Sequence, residues 1–169
     1  MNKRRTGRHR RIFGLLLVAI ALILCLLSNP ATGIDVESVV IPRDSGQNLF
    51  ARIYTPTGQP APHGVMIWCH GVNNSKQMMA PLAVEFARHG VAAIAFDFGG
   101  YGESYPLKVG EKSIENLDKN TLADARTVLD YIRRQPGRFD RDRIGILGHS
   151  MGGTTALQLA TQVRNCDRR

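Results

Sequence analysis

Residues 148–153, GHSMGG, decide how this sequence folds, because they place a glycine two residues to either side of Ser150. An apolar run, IGIL, precedes them at 144–147, and apolar residues at helical spacing follow from 154 onward. A strand-to-helix turn this tight leaves no room for side chains beside the serine, so glycines flank it and its hydroxyl projects above the sheet. The first N–H groups of the following helix would face the same point. The stretch therefore predicts an exposed, nucleophilic serine beside one half of an oxyanion hole.

Two further apolar runs lie upstream, and each ends in a glycine-containing loop. Residues 65–69, VMIWC, lead into His70-Gly71, and residues 91–96, VAAIAF, lead into DFGGYGES at 97–104. Runs that are continuously apolar, rather than alternating, indicate strands covered on both faces and hence a parallel sheet between layers of helices.

The sequence ahead of these runs predicts an antiparallel hairpin. Segments 36–41 and 48–55 have the composition of strands, and the turn between them, RDSG at 43–46, carries a glycine suited to positive φ. Together with the three buried runs, this pattern predicts an α/β fold: an antiparallel hairpin plus parallel strands flanked by helices.

Three helices are predicted between and after the buried strands. The first is expected to begin near Pro81 and to end at Gly90. Thr121 and Asp124 have the spacing of a capping box, which predicts that the second helix begins there. The third is predicted at 154–163. The apolar stripe of the first helix consists of Met79, Leu82, Ala83, Phe86 and Ala87.

The N-terminal segment is typical of a membrane-directed sequence. Residues 1–11 contain six basic side chains and no acid, and the next sixteen residues, 12–27, carry no charge. This arrangement predicts a basic cytoplasmic head at 1–11, a transmembrane or signal-anchor helix at 12–28 and a linker at 29–35. An uncleaved anchor and a signal cleaved near Gly33 both fit a helix of about 24 Å. In either case we expect the rest of the chain on the extracytoplasmic side.

Charge and cysteine content exclude several classes of function. Six positive charges of the net +8 belong to the basic head, which leaves +2 for the remainder. A nucleic-acid partner is therefore not expected. The three cysteines form no disulfide framework, and no cysteine or histidine has a partner at metal-ligand spacing, so neither a metal nor another cofactor is predicted.

Taken together, His70-Gly71, the pattern Asp-x-x-Gly-x-Gly-x-Ser at 97–104 and GHSMGG at 148–153 resemble α/β-hydrolases. Within that superfamily the sequence is most similar to dienelactone-hydrolase-like and serine-aminopeptidase-like enzymes. The resemblance extends from residue 36 to the end of the chain and covers the N-terminal part of such a domain.

The resemblance implies roles for particular residues. Ser150 would attack the carbonyl of an ester, thioester or amide in a small acyl substrate and form an acyl-enzyme. The backbone N–H groups of Val72 and Met151 would hold the oxyanion. His149 is expected to pack beneath the elbow, and His70 is expected to fix its loop by donating a hydrogen bond.

The Asp97 loop is expected to have a structural role and no chemical one, with the Asp97 side chain bonding to backbone.

The sequence departs from this family where the catalytic base should be. The family order is serine, acid, histidine, but every histidine here lies at or before His149, and Asp167 is the only acid after Ser150. Triad knockouts lose about 10⁴ to 10⁶ in turnover, so the chain alone is predicted to be inactive. Strand 144–147 would also lie at an exposed apolar edge.

Three interpretations follow. The first is that 36–169 is a truncated α/β-hydrolase domain. Nucleotide sequence beyond codon 169 that encodes a further strand, an aspartate and a histidine would support it. The second is a non-catalytic binding module whose sheet another chain completes. The third is acyl transfer to an acceptor other than water. Neither the substrate nor the oligomeric state follows from the sequence.

Overall fold

A computed structural model describes residues 3–27, 33–108 and 114–166. The chain divides into two compact units, Met1–Thr32 and Gly33–Arg169. In the first unit, helix α1 covers Lys3–Leu27.

The transmembrane or signal-anchor helix predicted at 12–28 is not supported. No helix in the described ranges combines the length and the apolar character that crossing a membrane requires.

The described part of the second unit is built on one sheet in the order β1-β2-β4-β3-β5. Its strands are β1 (Ile34–Pro42), β2 (Asn48–Pro56), β3 (His63–Cys69), β4 (Ala92–Phe96) and β5 (Phe139–Gly148). Strand β2 is antiparallel to both β1 and β4, whereas β3 is parallel to both β4 and β5. The predicted hairpin and parallel strands are therefore confirmed. Strand β1 begins at Ile34, inside the predicted linker.

Helices cover both faces of this sheet. They are α2 (Lys76–Arg88), α3 (Ile114–Arg133) and α4 (Met151–Cys166). One core cluster joins Ile67 and Ile94 of the sheet to residues of α3 and α4, and the other joins Trp68 and Ala93 to α2. Successive residues of the inner strands thus point to opposite cores, which is why their sequences are continuously apolar.

Helix α2 begins earlier than its sequence predicts. Its first residue is Lys76 rather than one near Pro81, and the proline lies inside the helix. Met79, Ala83 and Ala87 are buried as predicted, but Leu82 is 49% exposed. The start is set by a hydrogen bond from the Lys76 N–H to a carboxylate of another element, a contact that local spacing does not reveal.

Helix α3 likewise begins at Ile114, upstream of the predicted capping box. Asp124 lies inside the helix with its carboxylate buried, and it accepts hydrogen bonds from the Gly99 N–H at 2.8 Å and the Tyr105 hydroxyl at 3.1 Å. The Arg43 guanidinium is 3.1 Å away. Asp124 therefore joins α3 to the loop after β4 and to the β1–β2 turn instead of capping a helix.

Strand β5 lies at an edge of the sheet, as predicted for 144–147. Its pairing with β3 is interrupted between Phe139 and Ile144, where a bulge carries the ion pair of Asp140 and Arg143. Beyond the bulge, Leu147 is 41% exposed. The charged bulge disfavours pairing of another strand along one half of the edge. The half next to GHSMGG remains open for pairing.

The buried carboxylate of Asp124 predicts a pH dependence of stability. Burial raises its pKa to about 6, although the Gly99 N–H, Arg43 and Tyr105 favour the charged form. A raised folded-state pKa stabilises the fold below the unfolded pKa, and that contribution is lost as pH rises through the folded value. Relative to Asp124→Asn, the unfolding free energy of the wild type should therefore fall by roughly 2 to 3 kcal/mol between about pH 4 and pH 7.

Urea unfolding of both proteins across this range measures the difference. Asp130→Asn, which removes an exposed carboxylate from the same helix, is the matched control for loss of charge. A difference between the wild type and Asp124→Asn that does not change with pH would contradict the prediction.

Candidate active site

Ser150 stands at a strained turn between β5 and α4. Its φ is +52°, in the left-handed region that residues with a side chain seldom adopt. A Cβ on Gly148 would overlap the backbone of Gly152, and one on Gly152 would lie 2.6 Å from the His70 carbonyl oxygen. Glycine is therefore required on both sides, and Ser150 is left exposed at the carboxyl end of the sheet.

The two N–H groups predicted for the oxyanion hole lie on either side of this turn. Met151 is the first residue of α4, and Val72 follows Gly71 in the loop after β3. A Cβ on Gly71 would lie 3.4 Å from the Ser150 Cβ, so this loop backs directly onto the elbow. Within the described ranges, neither the Val72 N–H nor the Met151 N–H donates to another protein group. Both remain available to an incoming oxygen.

His70 fixes the start of this loop, as its sequence position predicted. Its ring is buried, Nε2 accepts a hydrogen bond from the Phe98 N–H at 3.1 Å, and Nδ1 lies 2.7 Å from the Gly71 carbonyl oxygen. Because Nε2 accepts, the proton is on Nδ1 and is donated to Gly71. Burial lowers the pKa of His70 more than the Gly71 and Asp97 contacts raise it, which keeps the ring neutral.

Lys76 is the residue near this site that the sequence does not reveal, because it lies ahead of the helix predicted to begin near Pro81. Its side chain is only 2% exposed, and Nζ lies 2.6 Å from Oδ2 of buried Asp97. Nζ also bonds to the carboxylate of Glu103, and Asp97 accepts from the Glu103 N–H at 3.0 Å. Asp97 therefore bonds to backbone as predicted, and it forms a buried ion pair as well.

Tyr101 brings the loop after β4 close to the elbow. Its ring centroid is 5.2 Å from that of His70, and its hydroxyl lies 3.9 Å from Sδ of Met151. Gly102 beside it has φ +52°, and a Cβ there would overlap the Asp97 carboxylate. The glycines of this loop thus let it fold back over Asp97 while Tyr101 reaches α4.

This arrangement of elbow and loops matches a known family. A family model described as serine aminopeptidase, S33, matches residues 60–168. The chain belongs to this family of α/β-hydrolases. Its members share the fold seen here. The three motifs that carry the resemblance, at 70–71, 97–104 and 148–153, all lie at the carboxyl end of the sheet.

Individual relatives of this S33 family member are hydrolases of several kinds. Thiohydrolase aneE of Aspergillus aculeatus is 32% identical over 117 residues, which cover 68% of this chain and 34% of the relative. The 2,6-dihydropseudooxynicotine hydrolase of Paenarthrobacter nicotinovorans is 32% identical over 137 residues, covering 80% and 33%. Est1E of Butyrivibrio proteoclasticus, solved with ferulic acid, superposes with a TM-score of 0.64 at 24% identity, covering 75% and 48%. The chain thus spans a third to a half of the length of these proteins.

No general base reaches the serine of this S33 domain within the described residues. No side chain there is hydrogen-bonded to the Ser150 hydroxyl, and both ring nitrogens of His70 are already engaged. His149 is exposed, which corrects the prediction that it packs beneath the elbow. Its backbone N–H donates to the Cys69 carbonyl oxygen at 3.1 Å. Its ring lies beside Gly71, where an added Cβ would stand 2.8 Å from Nδ1.

A cavity of about 390 Å³ lies elsewhere, between α3, α4 and β5. Leu129, Ile144 and Ile146 line it, and Ser150 does not. This cavity is a gap beside the edge strand rather than a substrate pocket at the elbow.

Gly152 should be a sensitive position of the elbow. Gly152→Ala would force a Cβ against the Cys69 and His70 carbonyl groups, and overpacking of this kind costs about 1 to 3 kcal/mol. We expect a lower midpoint of urea unfolding. Gly137→Ala is the matched control, because a Cβ there meets nothing within 4 Å. Equal midpoints for the two variants would show that the turn is looser than the structure indicates.

Proposed function

We propose that the protein is a serine hydrolase that cleaves small carboxylic esters or thioesters through an acyl-enzyme on Ser150. The observation that carries the proposal is the strained φ of +52° at Ser150, which exposes its hydroxyl near two backbone N–H groups that have no acceptor among the described residues. Strain of this kind persists where the surrounding structure enforces it, as Gly148 and Gly152 do here.

The names of the relatives support acyl substrates of ester and thioester type. One relative is a thiohydrolase, and a structural neighbour, Est1E, was solved with ferulic acid, a carboxylic acid. Such substrates have leaving groups that depart more easily than an amine, so they suit a shared serine mechanism. We therefore propose esters and thioesters of carboxylic acids as the class of substrate.

The proposed reaction begins when Ser150 Oγ attacks the substrate carbonyl carbon. The carbonyl electrons move to oxygen, which the Val72 and Met151 N–H groups stabilise; loss of one such donor typically costs about 10² to 10³ in rate. Collapse of the intermediate forms the Ser150 ester and expels the alkoxide or thiolate. The Ser150 proton must pass to a base, and the described residues place none beside the hydroxyl.

Acylation without turnover is the expected behaviour of residues 1–169 alone. With p-nitrophenyl acetate at alkaline pH, hydroxide takes the serine proton and p-nitrophenolate leaves without protonation. Deacylation needs a water activated by the protein, so the acetyl group should remain on Ser150. Release above the spontaneous hydrolysis of the ester by hydroxide should therefore stop near about one equivalent. Intact mass and peptide mapping identify the adduct, and absorbance follows the release.

Ser150→Ala should abolish the adduct, whereas Ser45→Ala, which removes an exposed serine of the β1–β2 turn, should not. Absence of acetyl from Ser150 would refute the proposed nucleophile. Sustained turnover that Ser150→Ala abolishes would instead show that the chain supplies its own base.

One observation favours a second candidate, a non-catalytic module completed by another chain. Strand β5 is open beside Leu147, and an unpaired edge is a template for an added strand. The acylation experiment separates the two functions, because a binding module has no reason to acylate Ser150 in preference to Ser45.

A further inference from the structure

The loop that carries Val72 is attached at both ends to the loop that follows β4. At its start, the His70 ring accepts a hydrogen bond from the Phe98 N–H at 3.1 Å. At its end, Asp97 accepts from the Lys76 backbone N–H and from its Nζ, both at 2.6 Å. Val72 lies between the two attachments, so both constrain the direction of its N–H.

We propose that Lys76 and Asp97 are positioning residues, whose buried ion pair holds the backbone of the Val72 loop so that the Val72 N–H points at the oxyanion above Ser150. The inference rests on the proposed function, because the direction of that N–H matters only if Ser150 is acylated. Neither side chain touches the substrate; both act through the backbone.

The start of α2 explains why a distant carboxylate is used. Ser75 occupies the N-cap position of α2 but makes no side-chain hydrogen bond to the helix. Asp97 replaces that cap from the end of β4, and a carboxylate also suits the positive end of the helix dipole. The loop before α2 is therefore held to the sheet itself, which carries the elbow.

The charge of Lys76 restricts this attachment to one arrangement of the side chains. Burial alone would lower the pKa of Lys76, but its hydrogen bonds to Asp97 and Glu103 raise it overall, so the ammonium group persists. A buried ammonium with no partner is strongly unfavourable, and therefore Lys76 holds both carboxylates together in one arrangement. A neutral side chain of similar length would fill the space without that constraint.

The test measures single-turnover acylation of the 169-residue chain by p-nitrophenyl acetate, with the rate constant and the apparent dissociation constant obtained from the concentration dependence. For Lys76→Met we expect an acylation rate constant lower by about 10- to 100-fold, because an oxyanion donor is misdirected rather than removed. The apparent dissociation constant should stay within about twofold, since ground-state contacts are unchanged. Lys76→Arg keeps the charge and its donors, so it should restore part of the rate although the larger side chain is less easily accommodated.

Glu85→Gln is the matched control. It removes the carboxylate that lies 3.5 Å from both the Arg88 guanidinium and His89 Nδ1 at the other end of α2, and it should acylate like the wild type. Acylation of Lys76→Met at the wild-type rate would overturn the inference, as would failure of Lys76→Arg to recover. Absence of acylation in the wild type would refute the proposed function instead, and the inference with it.

A second variant covers the case in which Lys76→Met does not fold because Asp97 is left without its counter-ion. Lys76→Met/Asp97→Asn leaves no unpaired charge in the core and keeps a side-chain acceptor for the helix N–H. We expect a folded protein, shown by circular dichroism, with the same loss of acylation rate. A folded double variant with the wild-type rate would overturn the inference.

Discussion

Asp97 lies at the carboxyl end of β4, the middle strand of the sheet, and its buried carboxylate accepts hydrogen bonds from the Lys76 N–H, the Lys76 ammonium and the Glu103 N–H. Burying a carboxylate is costly unless charge and hydrogen bonds are both compensated, and here both are. The compensation comes from two segments that would otherwise be independent, the start of α2 and the loop after β4. Their positions relative to Ser150 therefore depend on this one side chain.

Asp124 is a second buried carboxylate that joins separate segments, on the opposite face of the sheet, and its buried charge is less well compensated. It ties α3 to Gly99 and to Arg43 of the β1–β2 turn, yet burial still raises its pKa to about 6. The partners of the two carboxylates differ in exposure: the ammonium group beside Asp97 is buried, whereas the Arg43 guanidinium beside Asp124 is partly solvated. The two carboxylates hold the glycine-rich loop from both sides, which explains how a segment with several glycines keeps one conformation.

The parts of the fold that the sequence predicts correctly are those with a local cause. Continuous apolar runs identify β3 and β4, and the glycines around Ser150 identify the elbow, because each pattern is imposed by its immediate neighbours. The site's serine and its helix follow from the same few residues.

The errors have distant causes. Helix α2 begins at Lys76 because Asp97 caps it from 21 residues away. The capping-box spacing at Asp124 is misleading because that carboxylate binds the loop after β4 and the β1–β2 turn instead. Lys76 itself resembles any loop lysine in sequence, and only the packing of α2 against β4 shows that it is buried. Local sequence patterns thus do not reveal which distant residues a polar side chain will contact.

In the proposed mechanism, the geometry of the nucleophile and of the oxyanion hole is separable from proton transfer. Ser150, Met151 and Val72 all lie on the turns that follow β3 and β5, two adjacent parallel strands, so the pairing of those strands brings them together. The attachment of the Val72 loop to Asp97 completes their arrangement. A base has no such local origin, because it must reach the hydroxyl from another segment, and no described histidine does so. Catalytic competence in such a domain therefore depends on one long-range contact added to a preformed site.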